Sequence, residues 1–249
     1  MKVVAIIQAR MGSTRLPGKV LMDLGGETVL SRVVRRLRRA TRIDEIAVAT
    51  TVSRKDDAIS AACKGLGVRE FRGSEEDVLD RYLCAAEEAG AEAVVRITSD
   101  CPLIDPELVD EVVSSLVAGN VDFVSNVMPR TYPRGLDAEA FTAEALRKAW
   151  ENANQPHQRE HVTPLFYERR DIFRVASVRG GPDYSRYRWT LDTPEDLRLI
   201  RAIYGNFGNG DDFGWREAIA LMDRSPELAS INAQVAQKPV GEKARTVNA

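Results

Sequence analysis

Val3-Val4-Ala5-Ile6-Ile7 sets five apolar residues in a row near the start of the chain, four of them β-branched. A strand with no polar residue at alternate positions must be covered on both faces, as in a parallel sheet between helical layers. The chain then repeats that theme. Residues 27–42 read as an amphipathic helix, with Val29, Leu30, Val33, Val34 and Leu37 on one face and Arg32, Arg35, Arg36, Arg38 and Arg39 elsewhere. Glu45 to Thr51 reads as a second strand, and Ser53 as the cap of a helix over 54–65. A third strand at Val68 to Phe71 precedes a helix whose buried stripe is Val78, Leu79, Tyr82, Leu83 and Ala86. Ala93 to Thr98 is a fourth strand, followed by a helix over 106–118 and a fifth strand near Asp122 to Ser125. Strand–helix units of this length predict a mostly parallel, three-layer α/β sandwich. Ligands of such sheets bind at the carboxyl ends of the strands.

The first of those ends is distinctive. From Ile7 to Leu21 the chain places Arg10, Arg15 and Lys19 around Gly12, Ser13 and Gly18. Glycine lets backbone N–H groups approach an anion and the cations neutralise it, so the loop suits a polyphosphate. The Walker pattern G-x-x-x-x-G-K-[S/T] does not apply, because Gly12 and Gly18 are separated by five residues and Val20 follows Lys19. No G-x-G-x-x-G is present either.

Gln8-Ala9-Arg10-Met11-Gly12-Ser13-Thr14-Arg15-Leu16-Pro17-Gly18-Lys19 resembles the opening signature of cytidylyltransferases that activate acidic sugars. These include the CMP-sialate and CMP-ketodeoxyoctonate synthetases, and most closely the branch named for spore coat polysaccharide biosynthesis protein F. The resemblance runs to about Gly205, and the opening motif is its most specific part. It implies the nucleotide-diphospho-sugar transferase type of α/β sandwich, a CTP site built from Ala9, Arg10, Gly12, Ser13, Arg15 and Lys19, Mg²⁺ as cofactor, and a homodimer formed through residues 128–178. Arg72 and Ser74 fall where the family reads cytosine and ribose. Ser74, three residues before Asp77, also has the spacing of a helix cap, so two readings stand for it. Asp80 and Arg81 echo a further Asp-Arg pair of the family.

Composition restricts the alternatives. A formal net charge of −2 gives no general attraction to nucleic acid or to a membrane. The arginines of the first helix have no interleaved aromatics and read as a solvated face. Cys63, Cys84 and Cys101 are too few and too scattered for a disulfide scaffold, which points to a reducing compartment. No signal peptide is visible and no apolar run has the length of a membrane span. A cytoplasmic location is the expectation.

After residue 126 the alternation changes. Met128 to Asp137 reads as a structured loop. Helices at 142–153 and 157–170 and strands near 172–178 and 187–191 then suggest an insertion or lid over 128–178, within one domain of residues 1–224. Thr193-Pro194-Glu195-Asp196 opens a further helix, with a cap, Pro at the first position and acids in the first turn. A helix around 212–224 comes next, and residues 225–249 read as a loose, polar tail.

Two acids stand at strand ends. Asp100 follows the fourth strand and Asp192 follows Tyr187-Arg188-Trp189-Thr190-Leu191. One or two carboxylates plus substrate phosphates are the usual ligands of Mg²⁺, although each Asp also fits a cap or a turn. Ser99-Asp100-Cys101-Pro102-Leu103-Ile104 is similar to the Gly-Asp-x-Pro-Leu-Ile segment of the ketodeoxyoctonate enzymes, with Ser99 in place of Gly. Leu191-Asp192-Thr193-Pro194-Glu195-Asp196 is similar to their second metal motif. The loop containing Tyr132, Arg134 and Asp137 is the candidate cradle for an acidic sugar, with Arg134 suited to a carboxylate and Asp137 to hydroxyls. Glu160 and His161 lie in Arg-Glu-His-Val-Thr-Pro, a stretch like one in the spore-coat branch, and read as sugar-pocket groups. His157-Gln158-Arg159-Glu160-His161 also satisfies the zinc pattern H-x-x-E-H, but a third ligand has no evident motif. Cys101 has no base beside it and reads as packing.

The expected reaction is attack of a sugar hydroxyl on the α-phosphorus of CTP, with Lys19, Arg10, Arg15 and Asp100 as the catalytic set. Its rivals are a sugar-nucleotide-binding or glycosyltransferase-like protein without pyrophosphate release, a zinc hydrolase, and a nucleotidyltransferase using GTP or UTP.

Overall fold

A computed structural model describes residues 1–237. β1 (Val3–Gln8), α1 (Val29–Leu37), β2 (Glu45–Thr51), α2 (Asp57–Leu66), β3 (Arg69–Gly73), α3 (Val78–Glu88), β4 (Ala93–Thr98), α4 (Pro106–Ala118) and β5 (Phe123–Ser125) follow the expected alternation. They are succeeded by β6 (Glu139–Thr142), α5 (Ala143–Asn152), α6 (Pro156–His161), α7 (Pro164–Glu168), β7 (Val175–Ser177), α8 (Pro194–Asn206), α9 (Trp215–Arg224) and α10 (Glu227–Ser230). The seven strands form one sheet in the order β3-β2-β1-β4-β6-β5-β7. β1 is central and parallel to both neighbours, with Val4 opposite Glu45 and Val3 opposite Ala93. Its apolar run feeds two cores. Val3, Ala5 and Ile7 pack with residues of α1, α4 and α8, whereas Val4 and Ile6 pack with α3, α5 and α7. The result is a three-layer α/β sandwich.

Helix starts obey local chemistry. Asp105 caps α4 ahead of Pro106, its carboxylate accepting from Leu108 N at 3.1 Å. Thr193 and Asp196 form a reciprocal capping box at α8. At α3 the cap is Asp77, while the Ser74 hydroxyl accepts from Asp77 N at 3.0 Å, one turn earlier.

Four expectations need correction. The span 128–178 is not an appended lid, because it supplies two strands of the main sheet. β6 runs antiparallel between β4 and β5, and β7 lies beside β5. Tyr187 to Leu191 is not a sheet strand. It runs along the 130–137 loop, with Arg134 N donating to Tyr187 O at 3.0 Å and Trp189 N to Arg134 O at 2.6 Å. The helix read over 157–170 is two short ones, separated at Val162, which has φ 71°, and at Thr163 before Pro164. Finally, Arg32 and Arg36 are not solvated, being 2% and 0% exposed. The α8–α9 connection covers that side of α1, and its carbonyls need donors. Arg32 donates to Leu24 O and Gly25 O and pairs with Asp211, while Arg36 donates to Ile104 O, Asp211 O and Phe213 O. A guanidinium with five donors suits such a cluster of carbonyls.

Part of the stretch read as a loose tail packs on the domain. Residues 225–237 return to the domain, where Leu228 and Ile231 pack on the core and Asn232 is buried. The rest of the expected tail, 238–249, lies outside the described residues.

Candidate active site

The site begins where β1 ends. Ala9 N extends the ladder to Ala49 O, and Met11 N donates to the buried carboxylate of Asp56 at 2.7 Å. Gly18, at φ 70°, turns the chain into a single 3₁₀ turn, Lys19–Leu21, which aims Lys19 back across the strand ends. Lys19 is 12% exposed. Its Nζ lies 2.9 Å from Asp100 Oδ2, 2.9 Å from Asp192 Oδ1 and 2.7 Å from Leu191 O. Two aspartates far apart in sequence thus meet on one ammonium. Arg15 binds the other oxygen of Asp192 at 2.9 Å, and Arg188 binds the same oxygen at 2.7 Å.

These contacts fix the charge states. Burial works against the Asp192 carboxylate, but Lys19, Arg15 and Arg188 outweigh it and hold its pKa below the usual carboxylate value. Burial likewise works against the Lys19 ammonium, and Asp100 and Asp192 prevail, raising its pKa. Lys19 and Asp192 thus each hold the other in its charged form. Cys101, beside Asp100, has its thiol pushed well above the ordinary value by burial and by the neighbouring carboxylate. It is 3% exposed and packs beside the cluster.

Beneath Asp192 lies a support absent from the sequence reading. Asp196, 0% exposed, accepts the N–H groups of Asp192 and Thr193 at 2.9 and 3.0 Å, Arg188 Nε at 3.0 Å and Asn232 Nδ2 at 2.8 Å. Asn232 also donates to Arg188 O at 2.9 Å. The helix-start pattern exposed Asp196 as a cap, but its bonds to Arg188 and Asn232 depend on the tertiary fold.

The other expected nucleotide residues are arranged differently. Arg10 is exposed and makes no ion pair among the described residues. The Ser13 hydroxyl accepts from Leu16 N at 3.3 Å, and Gly12 lies beside Glu75. Arg72 is committed to the β2–α2 connection, donating to Thr51 O, Ser53 O and Asp57 at 2.8 Å each. Neither Arg72 nor Ser74 joins the Lys19 cluster. Arg81 is fully buried and donates to Ser74 O at 2.6 Å, while its Nε and one terminal nitrogen have no partner.

The expected sugar residues divide. Arg134 is half-buried, and its guanidinium has no hydrogen bond or ion pair among the described residues. Burial, with Arg130 and Arg188 nearby, lowers its pKa. Asp137 is already engaged, both oxygens held by Arg130 at 2.5 and 2.8 Å. Tyr132 requires correction as a cleft residue. It is 4% exposed, and its ring meets Trp215 edge-on at 5.3 Å and lies against Gly180, within the core. Gly135, at φ 104°, holds this loop against the 187–191 segment, since a Cβ there would lie 2.5 Å from Trp189 C and 2.6 Å from Thr190 N. Gly135→Ala is expected to cost about 2–4 kcal/mol. Urea denaturation measures this, and a change below about 1 kcal/mol would contradict the close approach.

Glu160 is exposed, whereas His161 is half-buried with Nε2 unpartnered. Burial and nearby Arg96 depress the His161 pKa below 6.5, against the opposing pull of Glu160. The unfolded chain therefore takes a proton that the folded chain refuses. Stability should fall as pH drops below 6.5, until the depressed folded value is reached. His161→Gln should flatten that slope in denaturation curves between about pH 5.5 and 7.5; equal slopes would refute the assignment. The missed neighbour is Glu139 on β6. It pairs with Arg96 at 2.7 Å and accepts from Thr163 at 3.1 Å and Tyr167 at 3.0 Å. The available signal was Arg96, a charged residue inside the otherwise apolar run of β4.

The H-x-x-E-H pattern has no metal geometry. His157 bonds Glu168 at 2.7 Å, and among the described residues no group of three His, Cys, Asp or Glu side chains converges. By contrast, the two carboxylate oxygens and the Leu191 carbonyl around Lys19 are the hard oxygen donors that Mg²⁺ takes. Among the described residues no helix is long and apolar enough to cross a membrane.

Comparison with known proteins bears on the family and the fold. A family model described as cytidylyltransferase matches residues 4–210. The spore coat polysaccharide biosynthesis protein SpsF of Bacillus subtilis is 35% identical over 235 residues, 92% of this chain and 97% of that protein. The 3-deoxy-manno-octulosonate cytidylyltransferase of Geobacter metallireducens is 36% identical over 231 residues, covering 83% and 87%. A cytidylyltransferase structure from Leptospira borgpetersenii superposes with a TM-score of 0.89 at 35% identity, covering 96% of this chain and 99% of that one.

Proposed function

This chain belongs to the cytidylyltransferase family, and we propose that it transfers CMP from CTP to an acidic sugar of the ulosonic or nonulosonic type, releasing pyrophosphate. The observation that carries this reading is the convergence of Lys19 and Arg15 on Asp100 and Asp192 at the carboxyl edge of the sheet. The sugar hydroxyl attacks the α-phosphorus in line and pyrophosphate departs. Such a step needs positioning and charge neutralisation rather than a protein nucleophile. Arg10, exposed and uncommitted, meets the incoming triphosphate together with Arg15 and Lys19. Asp100 and Asp192 are the oxygen ligands for Mg²⁺, which when bound supplies polarisation of the α-phosphoryl group and a lower pKa for the attacking hydroxyl.

Arg134 offers the sugar carboxylate a guanidinium with no competing partner among the described residues. His161, neutral at pH 7, suits a sugar hydroxyl rather than a second anion. The relatives named for 3-deoxy-manno-octulosonate transfer and for spore coat polysaccharide support a role in surface polysaccharide synthesis. The homodimer through residues 128–178 belongs to the same proposal, with sedimentation as its check.

Calorimetric titration with each of the four nucleoside triphosphates, in Mg²⁺, tests the nucleotide half. CTP should bind about tenfold or more tightly than UTP, GTP or ATP. Equal affinities, or no binding of CTP, would reject a CTP site.

A further inference from the structure

Lys19 lies between the two carboxylates assigned above to a divalent ion. Its Nζ sits within 2.9 Å of one oxygen from each aspartate and of the Leu191 carbonyl. Asp192 has two further cations, Arg15 and Arg188, on its other oxygen. Among the described residues, Asp100 has Lys19 alone as an ionic partner. The carboxylates are therefore neutralised and hydrogen-bonded before any metal arrives, and an ion entering between them meets an ammonium at contact distance.

We propose that Lys19 is a resident cation that keeps the metal site closed until the nucleotide draws it away, so that nucleotide binding creates the divalent-ion site. This rests on the reading above that Asp100 and Asp192 are the metal ligands.

Three features of the chain make the exchange feasible. Lys19 reaches the aspartates on a flexible four-carbon stem, and an ammonium has no fixed fork that ties it to one acceptor geometry. Its backbone stands on the same loop as Arg10 and Arg15, the groups offered to a triphosphate, so the stem can swing to phosphate oxygens without moving β1. Once it leaves, one oxygen of Asp192 and one of Asp100 are vacated together. Asp192 stays in position because Arg188 and the backbone bonds to Asp196 persist. The triphosphate then supplies both the new partner for Lys19 and the remaining oxygen ligands. Linkage requires reciprocity: nucleotide raises affinity for the metal, and the metal raises affinity for the nucleotide by the same factor.

Mn²⁺ binding to the full chain, followed by the paramagnetic resonance signal of free Mn²⁺, tests the idea without turnover. In the absence of nucleotide, wild type and Lys19→Arg should show no tight site. Lys19→Met keeps the apolar stem and removes the charge, and it should gain one Mn²⁺ per chain with affinity raised about tenfold or more. Adding Asp100→Asn to Lys19→Met should abolish the gain. Circular dichroism of each variant establishes that it is folded. Wild type binding Mn²⁺ as tightly as Lys19→Met, or a folded Lys19→Met gaining nothing, would overturn the proposal. Wild type with CTP separates the two readings. A bound-Mn²⁺ signal there that disappears in Asp100→Asn upholds the metal ligands even if the closure by Lys19 fails. Its absence would remove both.

Discussion

Asp100→Asn should lower kcat for pyrophosphate release by about 10²–10³-fold while leaving the fold intact. Asp100 stands just beyond β4, partly exposed, with Lys19 as its ionic partner and no place in either core. The amide has the same shape and keeps one oxygen, so packing is unchanged, and Lys19 retains Asp192 and the Leu191 carbonyl as partners. What disappears is half of the negative charge that two aspartates present to a metal, at the point where charge builds up during phosphoryl transfer. Steady-state kinetics alongside thermal denaturation separates the two effects. Near-normal turnover in a folded variant would remove Asp100 from the catalytic set.

The largest stability effect is expected at Asp196. Its carboxylate satisfies Arg188, Asn232 and two backbone N–H groups at once, in a fully buried position. Asp196→Ala strands a largely buried guanidinium and deletes half of the α8 capping box. Breaking a buried ion pair from one side costs about 3–5 kcal/mol. Chemical denaturation measures the loss, and a cost under about 1 kcal/mol would show that the network carries no such load. Turnover should fall as well, because Asp192 loses the two-residue platform that holds its backbone, even though Arg188 remains next to its side chain.

Which parts of this architecture could be read in advance follows from the range of the interactions. β1 and its loop were legible because their signal is local: a run of apolar residues, then cations set among glycines. α4 and α8 were legible for the same reason, each opening with a capping residue and Pro at the first position. β6 was not, since four residues beginning with Glu139 become a strand only by pairing with β4 and β5, and Glu139 is buried against Arg96, Thr163 and Tyr167, which arrive from elsewhere. Arg32 and Arg36 misled for a related reason. An arginine on the polar side of a helix announces solvent unless another element covers it, and the covering element lies about 180 residues away in the chain. Tyr132 sits next to cleft-side cations in sequence, but its side chain points into the core instead.

The site divides along the same line. Lys19, Asp100 and Asp192 each carried a local mark, a motif or a strand end, and the fold brings the three onto one point. Arg188, Asp196 and Asn232, which hold Asp192 in place, carried none that distinguished them from caps and tail residues. Arg72 kept its expected position at the end of β3, yet its donors are committed to the neighbouring connection.

The measurement that tests the central claim most directly is pyrophosphate release from each of the four nucleoside triphosphates, with Mg²⁺, against a panel of acidic sugars. The account predicts release from CTP with a ulosonic or nonulosonic acid, and its loss in Asp100→Asn. Release that ignores the identity of the nucleotide, or a protein that neither binds CTP nor releases pyrophosphate with any sugar, would contradict it.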